Sequence, residues 1–73
     1  GKRYRVQAGV FRQRDNAEAL AERLRQQGYE VYIRPLGEQY AVQLGLFRDL
    51  ERAQKVRDRA RAEGFEAVIV SEE

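Results

Sequence analysis

The residues best suited to chemistry sit in a block that occurs twice, as Tyr4-Arg5-Val6-Gln7-Ala8-Gly9-Val10-Phe11 and as Tyr40-Ala41-Val42-Gln43-Leu44-Gly45-Leu46-Phe47. The shared pattern is Tyr-x-Val-Gln-x-Gly-x-Phe. Its Tyr, Val and Phe are expected to be core. Its glutamines carry a donor and an acceptor on one neutral side chain, which suits ligands rich in hydroxyl and amide groups. Covalent catalysis needs an activated nucleophile beside a base. The chain has one Ser, Ser71, in what reads as a frayed tail, and no Thr, Cys or His. The carboxylates fall on polar helix faces, where they form neither an acid–base pair nor a cation cage. No enzyme activity, metal or cofactor is therefore expected. Gly9 and Gly45 each stand between a strand and a helix, with no Lys or Ser/Thr following as in a phosphate loop. They are read as tight turns.

These residues are positioned by a structural duplication. A shift of 36 residues lays Tyr4–Pro35 on Tyr40–Ser71 without a gap, and twelve of the 32 pairs are identical. A repeat of this length marks two copies of one supersecondary unit. Each reads as strand, helix, strand. The first strand spans about Arg3 to Ala8, with Val6 and Ala8 on one face and Arg5 and Gln7 on the other. Gly9 is expected to break it. The first helix spans about Arg14 to Gln27, with Ala17, Leu20, Ala21 and Leu24 on one stripe. Gly28 is placed to end it in the left-handed conformation. The next strand, about Glu30 to Arg34, turns Val31 and Ile33 inward and Tyr32 and Arg34 outward. Pro35-Leu36-Gly37-Glu38 punctuates a hairpin. The second unit repeats the plan: a strand over about Gln39 to Leu44, a helix over about Leu50 to Glu63 with Asp49 as N-cap, Gly64 as its end, and a strand over about Glu66 to Val70.

Two such units joined by a hairpin make β-α-β-β-α-β, the α+β ferredoxin-like arrangement, with a four-stranded antiparallel sheet and both helices on one face. The expected order is 4-1-3-2. A pseudo-two-fold axis between the central strands puts Gln7 and Gln43 in the middle of the uncovered face. The domain is read as residues 3–71, with repeats 4–35 and 40–71 and tails at 1–2 and 72–73.

Composition limits the partners. Seventy-three residues make one domain. Charged residues are 36% of the chain, yet the net charge is only +2. Runs such as Arg57-Asp58-Arg59 alternate in sign, as solvated helix faces do. No apolar run approaches a membrane span, so the domain itself is not expected to insert. Without a single Met, the chain is read as a fragment or a processed form. RNA-recognition domains of this topology stack bases on aromatics of the central strands. Here those outward positions are Arg5, Gln7, Ala41 and Gln43. Nucleic acid is therefore the rival reading, as is a structural domain that pairs edge to edge.

The doubled block, with Asn16-Ala17-Glu18-Ala19-Leu20 and Gly28-Tyr29 following the first copy, resembles the SPOR domain (sporulation-related repeat) over about Arg3 to Val70. The resemblance implies a bacterial peptidoglycan-binding module that recognises glycan strands stripped of stem peptides at the division septum. It also implies a domain carried outside the cytoplasm by a larger exported or membrane-anchored protein; the domain itself is expected to be monomeric. It further implies that the open sheet face holds the glycan. The candidate contacts are Arg5, Gln7, Gly9, Tyr32, Arg34, Gln43 and Val68. Arg5 and Arg34 are candidates for the lactyl carboxylate uncovered by amidase cleavage, and Tyr32 and Val68 for the sugar faces. The sequence departs from many members at Val10 and Leu46, where a small Ser is common, so no hydroxyl contact is expected there.

Overall fold

The computed structural model describes all residues from Gly1 to Glu73. Its elements are β1 (Arg3–Phe11), α1 (Arg14–Gln26), β2 (Tyr32–Leu36), β3 (Gln39–Phe47), α2 (Leu50–Ala62) and β4 (Val68–Glu72). They build one sheet of order β2-β3-β1-β4, in which every neighbouring pair is antiparallel. Val6, Ala8, Val42 and Leu44 form a core with Ala17, Ala21 and Leu24 of α1 and Ala53 and Ala60 of α2. Both helices therefore lie on the same side of the central strands, as the repeat predicts. The small alanines let the helices lie close to the sheet, and the whole molecule is only 15 Å thick along its shortest axis. No helix is long and apolar enough to cross a membrane.

Both helices stop in the same way. Gly28 and Gly64 have φ of 93° and 92°, a region that costs any residue with a Cβ. The Gly28 N–H donates to Arg25 O at 2.9 Å and the Tyr29 N–H to Leu24 O at 3.1 Å. Gly64 and Phe65 repeat the pattern on Arg61 and Ala60. These paired bonds satisfy the last helical carbonyls. The starts differ: Asp49 accepts from the Glu51 N–H at 2.9 Å, whereas Gln13 makes no side-chain cap.

The central strands run further than expected. Gly9 does not break β1, which continues through it to Phe11, and β3 likewise continues to Phe47. The register runs from Val6↔Gly45 to Gln7↔Gln43 to Gly9↔Val42, so Leu44 and Ala8 are each the extra residue of a bulge. A bulge lets the strand go on while changing which residues face outward. Each motif glycine has a steric reason. A Cβ on Gly9 would meet the Phe11 ring at 2.9 Å, and one on Gly45 would meet Phe47 at 2.5 Å. The aromatic two residues on folds back over its glycine.

The outer strands are displaced. β2 includes Pro35, which edge strands tolerate because no ladder N–H is needed on the outer side. The turn shrinks to Gly37-Glu38, with Gly37 at φ 59°. β4 begins at Val68 and pairs through Ser71↔Tyr4 and Glu72↔Arg3. Ser71 and Glu72 are thus part of the sheet, where a frayed end and a tail were expected.

Candidate functional site

The bulges define the uncovered face. On β1 it carries Arg5, Gln7 and then Val10, and on β3 Ala41, Gln43 and Leu46, with Arg5 opposite Leu46 and Val10 opposite Ala41. Gln7 and Gln43 are direct Cα partners at the centre. On the flanks Tyr32 pairs with Gln43 and Val68 with Gln7, so one row reads Tyr32, Gln43, Gln7, Val68. Arg34 lies beside Ala41 on β2, and Val70 beside Arg5 on β4.

The face is amphipathic. Tyr32 is 59% exposed and Val68 47%, and Leu36, Leu46 and Val70 are also exposed. Five of the six large exposed apolar residues thus share this face; the other is Leu50. The remaining aromatics pack in or against the core. Tyr32 is the single ring on the open side, and the central strands offer no stacking platform. Ala41 is fully buried, its methyl below longer neighbours.

The two arginines proposed as anion sites differ. Arg5 is only 8% exposed. Its Nη1–H and Nη2–H donate to the Glu72 carboxylate at 2.9 and 3.1 Å, and its Nε–H donates to Gln43 Oε1 at 2.6 Å. All three bonds hold the guanidinium inside the protein, so Arg5 is not a free cation as the sequence reading expected. Its hydrogen bonds hold the Glu72 carboxyl below its ordinary range, and the charges of Arg5, Arg34 and Arg3 act in the same direction. Arg34 makes no ion pair, and its Nε is buried without a hydrogen-bond partner. A desolvated donor without an acceptor is costly; the two Nη groups make no hydrogen bond within the protein and are the accessible part of the cation.

Of the expected contacts, Arg5, Gln7, Gln43, Tyr32, Arg34 and Val68 come together on this face. Gly9 does not belong with them. A side chain there would point toward Phe11 and Leu20, on the helix side. Its contribution is to admit the Phe11 ring. Leu46 and Leu36 were missed because their orientation depends on the bulge in β3 and the displaced β2; Val70 shares the parity of Val68 and could have been read with it. Glu72 was missed because it was assigned to a tail. The repeat does hold a clue to it, since Leu36 and Glu72 are mates under the same 36-residue shift.

On the helix side the arginines are structural. Arg59 lies 4.3 Å from the Tyr29 ring centroid and Arg23 5.4 Å from that of Phe65, each stacking on the other repeat's aromatic. Tyr29 and Phe65 meet edge to face at 6.1 Å. The Tyr29 hydroxyl donates to Glu63 at 2.6 Å. Burial, and then Glu63, push its pKa up to about 12. These contacts give Arg23 and Arg59 a structural role that needs no anionic ligand.

The fold and the face together define a duplicated two-layer α+β domain with one sheet surface left open. A family model described as SPOR domain matches residues 1–71. The chain belongs to the SPOR family. It is similar to the solved peptidoglycan-binding domain of the B. subtilis cell wall lytic enzyme CwlC, with 30% identity, a TM-score of 0.91, and coverage of 100% of this chain and 92% of that one. The fold also recurs in the SPOR domain of RlpA from Pseudomonas aeruginosa, at 22% identity and a TM-score of 0.70 over 96% and 97% of the two chains. It recurs in the Spor protein DedD, at 24% identity and a TM-score of 0.74, where 97% of this chain covers 39% of that one. No curated protein is similar enough in sequence to count as a relative.

Proposed function

We propose that this domain is a non-catalytic peptidoglycan-binding module that holds peptide-free glycan on the open sheet face and so brings a parent protein to the septal wall of a bacterium. The observation that carries the reading is the central pair Gln7 and Gln43, direct partners in the sheet, set between exposed Tyr32 and Val68. A denuded glycan is a ribbon of hydroxyls, N-acetyl groups and apolar ring faces. The glutamine amides match its polar groups, and the apolar flanks match its ring faces. SPOR family membership and the likeness to the CwlC peptidoglycan-binding domain support the same ligand.

Selectivity for stripped strands follows from Arg34. Amidase cleavage leaves the muramic acid lactyl group as a carboxylate, and the Arg34 Nη groups, which make no hydrogen bond within the protein, are its partners. An intact stem peptide removes that charge and adds bulk over a shallow surface. In this reading the domain acts as a monomer, outside the cytoplasm, and takes no cofactor or metal.

The test is retention on purified sacculi with and without prior amidase digestion. Digestion should raise retention at least tenfold, and no soluble fragments should appear. Equal retention would remove the denuded-strand specificity, and fragment release would overturn the non-catalytic assignment. A parallel titration at two salt concentrations should show a shallow dependence. Losing about 10³-fold between 50 and 200 mM is what many phosphate contacts would produce, and it would favour nucleic acid.

A further inference from the structure

The two central glutamines are symmetric in sequence but not in their surroundings. Gln7 and Gln43 are repeat mates, and so are Arg5 and Ala41. The Arg5 Nε–H donates to the Gln43 side chain at 2.6 Å. A guanidinium nitrogen can only donate, so the Gln43 atom facing it must be the amide oxygen. That assigns the amide: its oxygen is engaged by a charged donor, and its NH₂ has no partner within the protein. Glu72 grips the other end of the guanidinium through both carboxylate oxygens, which fixes the Arg5 fork. The Ala41 methyl can do nothing comparable for Gln7, whose side chain makes no hydrogen bond within the protein.

We propose that Arg5, clamped by Glu72, is a positioning residue that makes the two glutamines unequal and thereby biases the direction in which a glycan chain lies on the sheet. Gln43, with one oxygen lone pair already taken by Arg5, presents chiefly its NH₂ and favours an acceptor such as an N-acetyl carbonyl. Gln7 presents a donor and an acceptor and selects a group with both, such as an acetamido N–H beside a hydroxyl. A glycan has chemically distinct ends. Two equivalent glutamines about a two-fold axis would add nothing to direction, whereas this pair adds to the asymmetry of Arg34 against Val70 and Tyr32 against Val68. The inference rests on the proposed glycan site. A mismatch at Gln43 loses one hydrogen bond, so Arg5 contributes roughly a two- to tenfold preference for one direction.

The experiment uses denuded glycan oligomers with a nitroxide at the reducing end, read by NMR line broadening. The signals compared are the repeat mates Tyr32 with Val68 and Val10 with Leu46. The parent should broaden one mate of each pair more than the other. In Arg5→Met the ratio should fall by roughly two- to tenfold, and in the free protein the Gln43 side-chain amide signals should move while those of Gln7 stay. Arg5→Lys keeps the charge beside Glu72 but lacks the fork, and it guards against a fold defect in the Met variant. It too should lower the ratio. Equal broadening of mates in the parent, an unmoved Gln43 amide in Arg5→Met, or a parent-like ratio in Arg5→Lys overturns the proposal alone. Failure of the parent to bind the oligomers sinks the glycan site and this proposal with it.

Discussion

Replacing Gln7 by Ala isolates the ligand's share of this surface. The Gln7 side chain is half-exposed, faces away from the helices and has no hydrogen-bond partner in the protein. Its loss removes no core atom and leaves no protein group unsatisfied. The melting transition should therefore change little, within about ±0.5 kcal/mol. Binding should respond differently. If both ends of the amide reach sugar groups, about 1–2 kcal/mol is lost, which weakens Kd by roughly five- to thirtyfold. Gln43→Ala serves as the contrast. It strips the Arg5 Nε–H of its acceptor, so it should destabilise the fold by about 1–3 kcal/mol as well as weaken binding. Calorimetric titration with denuded glycan, paired with thermal melts of each variant, separates the two effects. Gln7→Ala that binds like the parent while melting unchanged would refute the open-face site. Gln7→Ala that melts much lower would refute the claim that its side chain is free.

Arg34→Ala should weaken binding of glycan carrying the free lactyl carboxylate by about tenfold or more, the worth of a charge-assisted bond. It should leave binding of chitin-like oligomers unchanged, which parallel titrations would check. Gly45→Ala should destabilise by about 1–3 kcal/mol, because the Phe47 ring must move; Gly9→Ala, with its nearest contact at 2.9 rather than 2.5 Å, should cost less in denaturant melts. Tyr29 should ionise near pH 12 by phenolate absorbance. Since its pKa is raised by folding, its stabilisation is intact below the ordinary tyrosine range and is lost as pH rises toward that value. The Glu72 pKa is lowered by Arg5, so its contribution is present above the ordinary carboxylate range and disappears on acidification. Glu72→Gln should flatten the acid limb of stability against pH.

The elements and their order were legible in the residues because each rests on local patterning. Gly28 and Gly64 end the helices at the positions where a left-handed residue is needed. Ala17, Ala21 and Leu24 return at helical spacing and are buried as that spacing requires. The repeat placed Gln7 opposite Gln43, since two copies of one unit must meet about an axis. The misreadings fall where a neighbouring strand decides. Gly9 looked like a strand breaker because a lone glycine carries no sign of the Phe11 ring folding over it. The outer strands slid two residues because their bounds depend on where β1 and β3 stop offering ladder bonds.

Sequence alone therefore determined the duplication, the two-layer plan, the lack of Thr, Cys and His and the central glutamine pair, all of which follow from residue type and spacing along the chain. Tertiary structure alone decided which arginine is free. Arg5 and Arg34 look equivalent as outward cations on a strand. They differ because β4 runs on to bring Glu72, 67 residues away, within 2.9 Å of Arg5, while nothing in the fold supplies an acceptor to Arg34. Ion pairs between residues that distant in sequence depend on strand register, and register is a property of the assembled sheet.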